Sequence, residues 1–239
     1  MRVFLAGAGG AIGRRLTPLL VKAGHQVTGT TRSADKAGAL RAMGAEPVVV
    51  DVFDAEALKR AVAATKPDAV IHQLTDLAFA PGTPQYAEAL RRNARIRIEG
   101  TPNLAAAARA AGVRRLIAQS IAFIYAERPG ARVETDPMAP AEGVMAGTIP
   151  AVQALEDAVL ALPEGIVLRY AYFYGPGTWS PDGPGRRPCV HVDAAALAAA
   201  NALSRGEPGV YNVGEDDPTL SSEKARRLLG FDPDFRLTL

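Results

Sequence analysis

Cysteine is almost missing from this chain: Cys189 is the single one among 239 residues, which excludes any internal disulfide and fits a reducing, cytoplasmic setting. Histidine is equally scarce. His25, His72 and His191 show no metal-ligand spacing, Cys189-x-His191 alone makes no zinc site, and the expectation is no metal. No run approaches the roughly 18 uninterrupted apolar residues of a membrane span, so no membrane association is expected. The hydrophobic start reads as a first strand rather than a secretion signal. Charge of one sign is lacking too. The 27 basic and 25 acidic residues leave a net charge of +2, with no basic stripe interleaved with aromatics, so nucleic acid is not an expected partner. A G-x-S-x-G nucleophile motif is absent as well.

What is present is concentrated in the first thirteen residues, MRVFLAGAGGAIG. Arg2 to Ala6 read as a buried strand, and the chain then turns through Gly7, Gly9, Gly10 and Gly13. A helix with Ile12, Leu16, Leu19 and Leu20 on its apolar face follows directly. Strand, glycine turn and helix in that order form a cradle for a nucleotide diphosphate. Backbone without side chains approaches the phosphates, and the first helical N–H groups, with the positive end of the helix dipole, hold them. Ala11 and Ile12 complete this candidate cofactor turn.

Beyond that turn, strands alternate with helices. Strands are predicted at 26–31, 46–50, 68–71, 115–118, 165–170 and 209–213; helices at 11–23, 36–43, 56–64, 85–111, 151–161, 194–203 and 221–229. The pattern predicts a single α/β domain over 1–239 with a doubly wound, mostly parallel sheet. Pro/Gly-rich segments at 127–150 and 175–190 interrupt it, and loops over the strands' carboxyl ends are where substrate contacts usually lie.

The order and spacing of further motifs resemble the extended, NAD-dependent epimerase/dehydratase-like branch of the short-chain dehydrogenases/reductases. The glycines are spaced Gly7-x-x-Gly10-x-x-Gly13. Asn93 with Gly100-Thr-Pro-Asn-Leu104 resembles that branch's central helix, and Arg115-Leu-Ile-Ala-Gln-Ser120 its catalytic strand. Arg169-Tyr-Ala-Tyr-Phe-Tyr-Gly-Pro-Gly177, Val190-His-Val-Asp193 and Val210-Tyr-Asn-Val-Gly214 match later elements, so the likeness covers about residues 1–215. It implies a Rossmann-type sheet, with substrate-lobe elements pruned to about 175–190 and 205–239. It also implies cofactor contacts from Asp51 and Val52, from Gln73, Leu74 and Thr75, and from Asn93, Tyr170 and Phe173.

Coenzyme choice is read at the end of the second strand, where an acid accepts from the NAD ribose and an Arg accommodates the NADP 2′-phosphate. Here the strand ends Thr30-Thr31-Arg32-Ser33 with no acid before Asp35, so Thr31 and Arg32 predict NADP(H) over NAD(H).

One departure stands out. The chain has five lysines, and none lies four residues after a tyrosine: Tyr86, Tyr125, Tyr170, Tyr172, Tyr174 and Tyr211 are followed there by Leu90, Pro129, Tyr174, Pro176, Thr178 and Glu215. The family's Tyr-x-x-x-Lys proton relay falls on Thr148 and Val152. Ser120 is left to orient a carbonyl, with Tyr125 and Tyr172 as candidate proton donors; Tyr174 is a further one. Two readings stay open: an NADP(H)-dependent oxidoreductase or epimerase-like enzyme acting on a small carbonyl, alcohol or sugar-like substrate, and a non-catalytic NADP(H) sensor. In the extended enzymes the helix matching 85–111 often makes a homodimer.

Overall fold

A computed structural model describes residues 1–237; the last two residues of the expected terminal lobe element lie outside the described residues. Its centre is a seven-stranded sheet. In chain order the strands are β1 (Arg2–Ala6), β2 (Gln26–Thr31), β3 (Glu46–Val49), β4 (Ala69–His72), β5 (Arg115–Ile121), β6 (Glu164–Tyr170), the short pair β7 (Tyr172–Tyr174) and β8 (Cys189–His191), and β9 (Gly209–Val213). The spatial order is β3-β2-β1-β4-β5-β6-β9, and each pairing is parallel. Chain direction across the sheet reverses between β1 and β4, the crevice where such sheets bind ligands. This is the Rossmann-type α/β fold that the strand–helix alternation predicts.

Parallel strands covered on both faces are buried and largely apolar, and in β1, β4 and β6 the exceptions within the buried run are His72 and Arg169, near the carboxyl ends of β4 and β6. Val3 to Ala6, Ala69 to His72 and Gly165 to Tyr170 are buried without a break. One face is covered by α1 (Gly13–Lys22), α7 (Val192–Asn201) and α8 (Glu223–Leu229). Leu16 and Leu20 of α1 meet an alanine-rich α7, whose small side chains let two helices pack closely on the sheet. The other face carries α3 (Ala55–Thr65), α5 (Thr101–Ala110) and α6 (Thr148–Leu160), through Leu58, Val62, Leu104, Leu155 and Val159. The short α2 (Ala37–Ala42) leads into β3. Local chemistry sets the ends: the Asp54 carboxylate accepts from Ala57 N at 2.9 Å to start α3, and Gly230, at φ 64°, ends α8.

Two elements differ from expectation. The long helix anticipated over 85–111 is α4 (Tyr86–Arg95), a wide π turn (Ile96–Gly100) and then α5. The wide turn seats Gly100 against Val52, where a Cβ would come within 2.8 Å of a methyl group. Thr101 Oγ1 stabilises it by donating to Ile96 O at 3.3 Å. The second difference is the β7–β8 pair, which brackets the 175–190 segment read as loop. At three residues each, these strands are too short to leave a periodic signal. No described helix is long and apolar enough to cross a membrane.

Candidate coenzyme and substrate site

The glycines at the end of β1 divide their work. Gly7 has φ 92°, and a Cβ there would fall 2.6 Å from Gln73 O, so only glycine lets β1 pass that close to the end of β4. Gly13 opens α1, where a Cβ would fall 2.2 Å from Gly7 O. Gly10 N donates to Gly7 O at 3.0 Å and closes the turn. Gly9 has nothing within 4 Å of an added Cβ: it faces open space, as a backbone that receives a ligand must. No side chain caps α1 and its first turn holds no acid. Among the described residues, the amides of Ala11, Ile12 and Gly13 donate to no acceptor. Three neighbouring N–H groups, a helix dipole and a wall of glycine backbone fit a diphosphate.

The flank of this cradle is built from β2 and the chain after β4. Thr30 Oγ1 accepts from Gly7 N at 3.3 Å, and Thr31 Oγ1 accepts from Ser33 N and donates to Ser33 O. The Arg32 side chain is 59% exposed, with a guanidinium nitrogen 3.9 Å from Asp76. Asp76 also accepts from Arg92 Nε at 3.0 Å. Asp51 accepts from Phe53 N beside the buried Val52. Asn93 is buried and accepts from Asp76 N at 3.1 Å, so it shapes the loop that carries Leu74 and Thr75. Gln73 sits under the glycine turn. Its amide is buried without a hydrogen-bond partner and faces the Tyr170 hydroxyl, which donates instead to Ala195 O at 3.1 Å. Phe173 packs 5.2 Å from the Tyr170 ring. His72 is wholly buried, its Nε2 2.8 Å from Thr101 Oγ1 and its Nδ1 accepting from Leu74 N. Burial first, then the charge of Arg97, pushes its pKa down to about 4.

Farther along the strand ends, a network fixes the candidate catalytic side chains. Ser120 is fully buried, and its hydroxyl donates to Glu156 Oε1 at 2.7 Å. Glu156 is held from the other side by Arg169. Arg169 Nη1 donates to the Tyr125 hydroxyl at 2.9 Å, which donates in turn to Asn212 Oδ1 at 2.5 Å. Burial raises the Tyr125 pKa, with the Arg169 charge opposing. Ser120 and Tyr125 are thus tied into the protein, whereas Tyr172 stacks on Phe123 at 4.2 Å and 5° with its hydroxyl unpartnered among the described residues. Tyr174 is spoken for: it donates to Glu215 at 2.5 Å. The two positions matching the family's relay carry no acid or base. Val152 is fully buried with Ile121, Ile124 and Ile149 in a small apolar cluster, and Thr148 begins α6.

Sequence reading missed Arg97, Glu156 as a partner of Ser120, Asp76, Phe123 and Trp179. Arg97 lies in the π turn, is only 8% exposed, and has no hydrogen-bond or ion-pair partner among the described residues. Burial brings its pKa down to about 10, opposed by the Glu156 charge. An arginine set between Ile96 and Ile98 was the available signal. Its burial was not.

This sheet, crevice and glycine cradle define a dinucleotide-binding α/β protein. The chain belongs to the NAD(P)H-binding family, whose model matches residues 7–159. It is 40% identical to a 3-diazoavenalumate denitrifying reductase of Streptomyces sp over 247 residues, covering 93% of this chain and 79% of that protein. It is 27% identical to a 2-alkyl-3-oxoalkanoate reductase of Stenotrophomonas maltophilia, covering 96% and 75%. Among solved structures, the fold matches a Thermotoga maritima UDP-glucose 4-epimerase with UDP-glucose, at TM-score 0.75 and 20% identity, covering 99% of this chain and 94% of that one. A Thermus thermophilus UDP-glucose 4-epimerase with NAD matches at TM-score 0.74 and 22% identity, covering 99% and 95%.

Proposed function

We propose that the protein is an NADP(H)-dependent reductase. The observation that carries this is the set of unsatisfied amides at Ala11, Ile12 and Gly13 facing the open space at Gly9. The 40% identity to a reductase over nearly the whole chain supports it. When bound, NADPH supplies a hydride. The Gly9–Gly13 turn would hold the diphosphate, Thr31 and Arg32 would hold the 2′-phosphate, and Gly7 with Gln73 sets the depth of the cleft. Arg97, buried in the π turn and close enough to feel the Glu156 charge, would stabilise negative charge that develops on the acceptor. Tyr172, or water, delivers the proton; Ser120 acts through Glu156 as a positioning residue.

The test is a titration with NADPH and NADH, followed by NADPH oxidation in the presence of carbonyl, quinone and diazo acceptors. Tighter NADH binding removes the Arg32 argument. Firm NADPH binding with no turnover on any acceptor moves the reading to a non-catalytic sensor, which the apolar filling around Val152 favours. Leu90 and Ile98, exposed along α4 and the π turn, support a homodimer, which sedimentation decides. With Cys189 as its single thiol the chain relies on no internal disulfide, which supports a cytoplasmic location.

A further inference from the structure

Aromatic residues are only 6% of this chain. The exposed Phe and Trp side chains among the described residues are Phe79, Phe123 and Trp179, at 38%, 37% and 44%. All three lie in segments that leave carboxyl ends of strands: Phe79 after β4, Phe123 after β5 and Trp179 after β7. Water-facing aromatics scattered over a surface need no explanation; three gathered on the ligand-binding edge of a parallel sheet do.

Their partners make this edge a built surface. Phe123 and Tyr172 stack with nearly parallel planes across two different strand ends. Trp179 meets Tyr86 edge-on at 5.8 Å, which draws the segment after β7 over to the start of α4. The guanidinium carbon of the exposed Arg186 lies 5.6 Å from the Tyr172 ring centroid, and Arg186 pairs with no carboxylate among the described residues. A stacked ring pair with a free cation beside it selects a flat, π-rich body carrying a negative group. A sugar offers no such face.

We propose that this rim is the substrate site and that it takes a planar aromatic anion, such as an aryl carboxylate, with its ring against the Phe123–Tyr172 pair and its charge on Arg186. The proposal rests on the reductase reading above and names the substrate class of that site.

Trp179 is the only tryptophan in the chain, so its fluorescence reports on this rim directly. Cinnamate, cinnamamide, cyclohexanecarboxylate and UDP-glucose are titrated against the protein with and without NADPH. Cinnamate is expected to shift the Trp179 emission and to bind roughly tenfold tighter than cyclohexanecarboxylate. Phe123→Leu should erase that preference. Arg186→Gln should weaken cinnamate roughly tenfold and leave cinnamamide unchanged, and neither variant should alter NADPH affinity. Equal binding of cinnamate and cyclohexanecarboxylate, tighter binding of UDP-glucose, or no response to either substitution overturns the proposal. If cinnamate fails while NADPH binds, the substrate class falls and the reductase reading stands. If NADPH fails to bind, the reductase reading falls, and cinnamate titration of the free protein still decides the aromatic site.

Discussion

Arg169 grips Glu156 at two points beneath the carboxyl ends of β5 and β6, Nε to Oε1 at 2.9 Å and Nη2 to Oε2 at 2.6 Å, with side chains only 6% and 3% exposed. A buried pair of this kind costs desolvation to assemble and far more to break, because the survivor keeps an uncompensated charge. Glu156→Ala is therefore expected to lose about 3–5 kcal/mol in urea unfolding. Ser120→Ala, which removes one neutral donor to that carboxylate, should lose less, about 1.5–3 kcal/mol. If Ser120→Ala keeps its stability and loses all turnover, Ser120 contacts substrate and is more than a positioning residue.

The glycines should separate by role. Gly13→Ala forces a Cβ onto Gly7 O, and a loss of at least about 2 kcal/mol is expected. Gly9→Ala meets no protein atom. Its melting temperature should match that of the parent while NADPH affinity drops at least several-fold. A Gly9→Ala protein that binds NADPH normally would show that the diphosphate lies elsewhere.

Arg32→Ala is expected to weaken NADPH roughly ten- to a hundred-fold, the value of one or two charge-assisted hydrogen bonds, and to leave NADH nearly untouched. Asp76→Asn removes the carboxylate 3.9 Å from Arg32 and should tighten NADPH. Comparing dissociation constants for both coenzymes checks the pair.

Arg97→Met keeps the length of the side chain and removes the charge. Turnover should fall at least tenfold with NADPH affinity retained, and Arg97→Lys should restore part of it. Unchanged turnover in Arg97→Met would leave Arg97 a packing residue.

His72 provides a pH signature. Its pKa falls from 6.5 in the open chain to about 4 in the fold, so the unfolded chain takes up the proton first as pH drops. Stability should be intact above about pH 6.5 and fall by about 3 kcal/mol on the way to pH 4. Urea unfolding across this window, repeated with His72→Gln, should show the slope flattened in the variant.

The parts of this molecule legible in its sequence are those whose cause is local. Gly7 to Gly13 announces a turn because Gly7, Gly10 and Gly13 answer to neighbours within a few residues or to the end of the adjacent β4. The β–α alternation is legible because buried parallel strands are largely apolar runs. The partner of Ser120 was not, since Glu156 lies 36 residues away and strand alternation alone does not say which helix it meets. Phe123 and Tyr172 are likewise brought together only by the pairing of β5 with β6. The wide turn at Ile96–Gly100 was hidden for another reason: a π turn keeps helical composition and changes only the phase.

That phase change has a consequence for how the protein tolerates length variation. One surplus residue between Arg95 and Thr101 rotates everything after it by about 100° around the axis. Asn93 thereby addresses the loop after β4 while Thr101 addresses His72. Excising a single position from that stretch would restore ordinary helical geometry, yet no rigid rod satisfies both neighbours at once. The irregularity works as a spacer, and a shortened variant would surrender either the loop after β4 or the contact to His72.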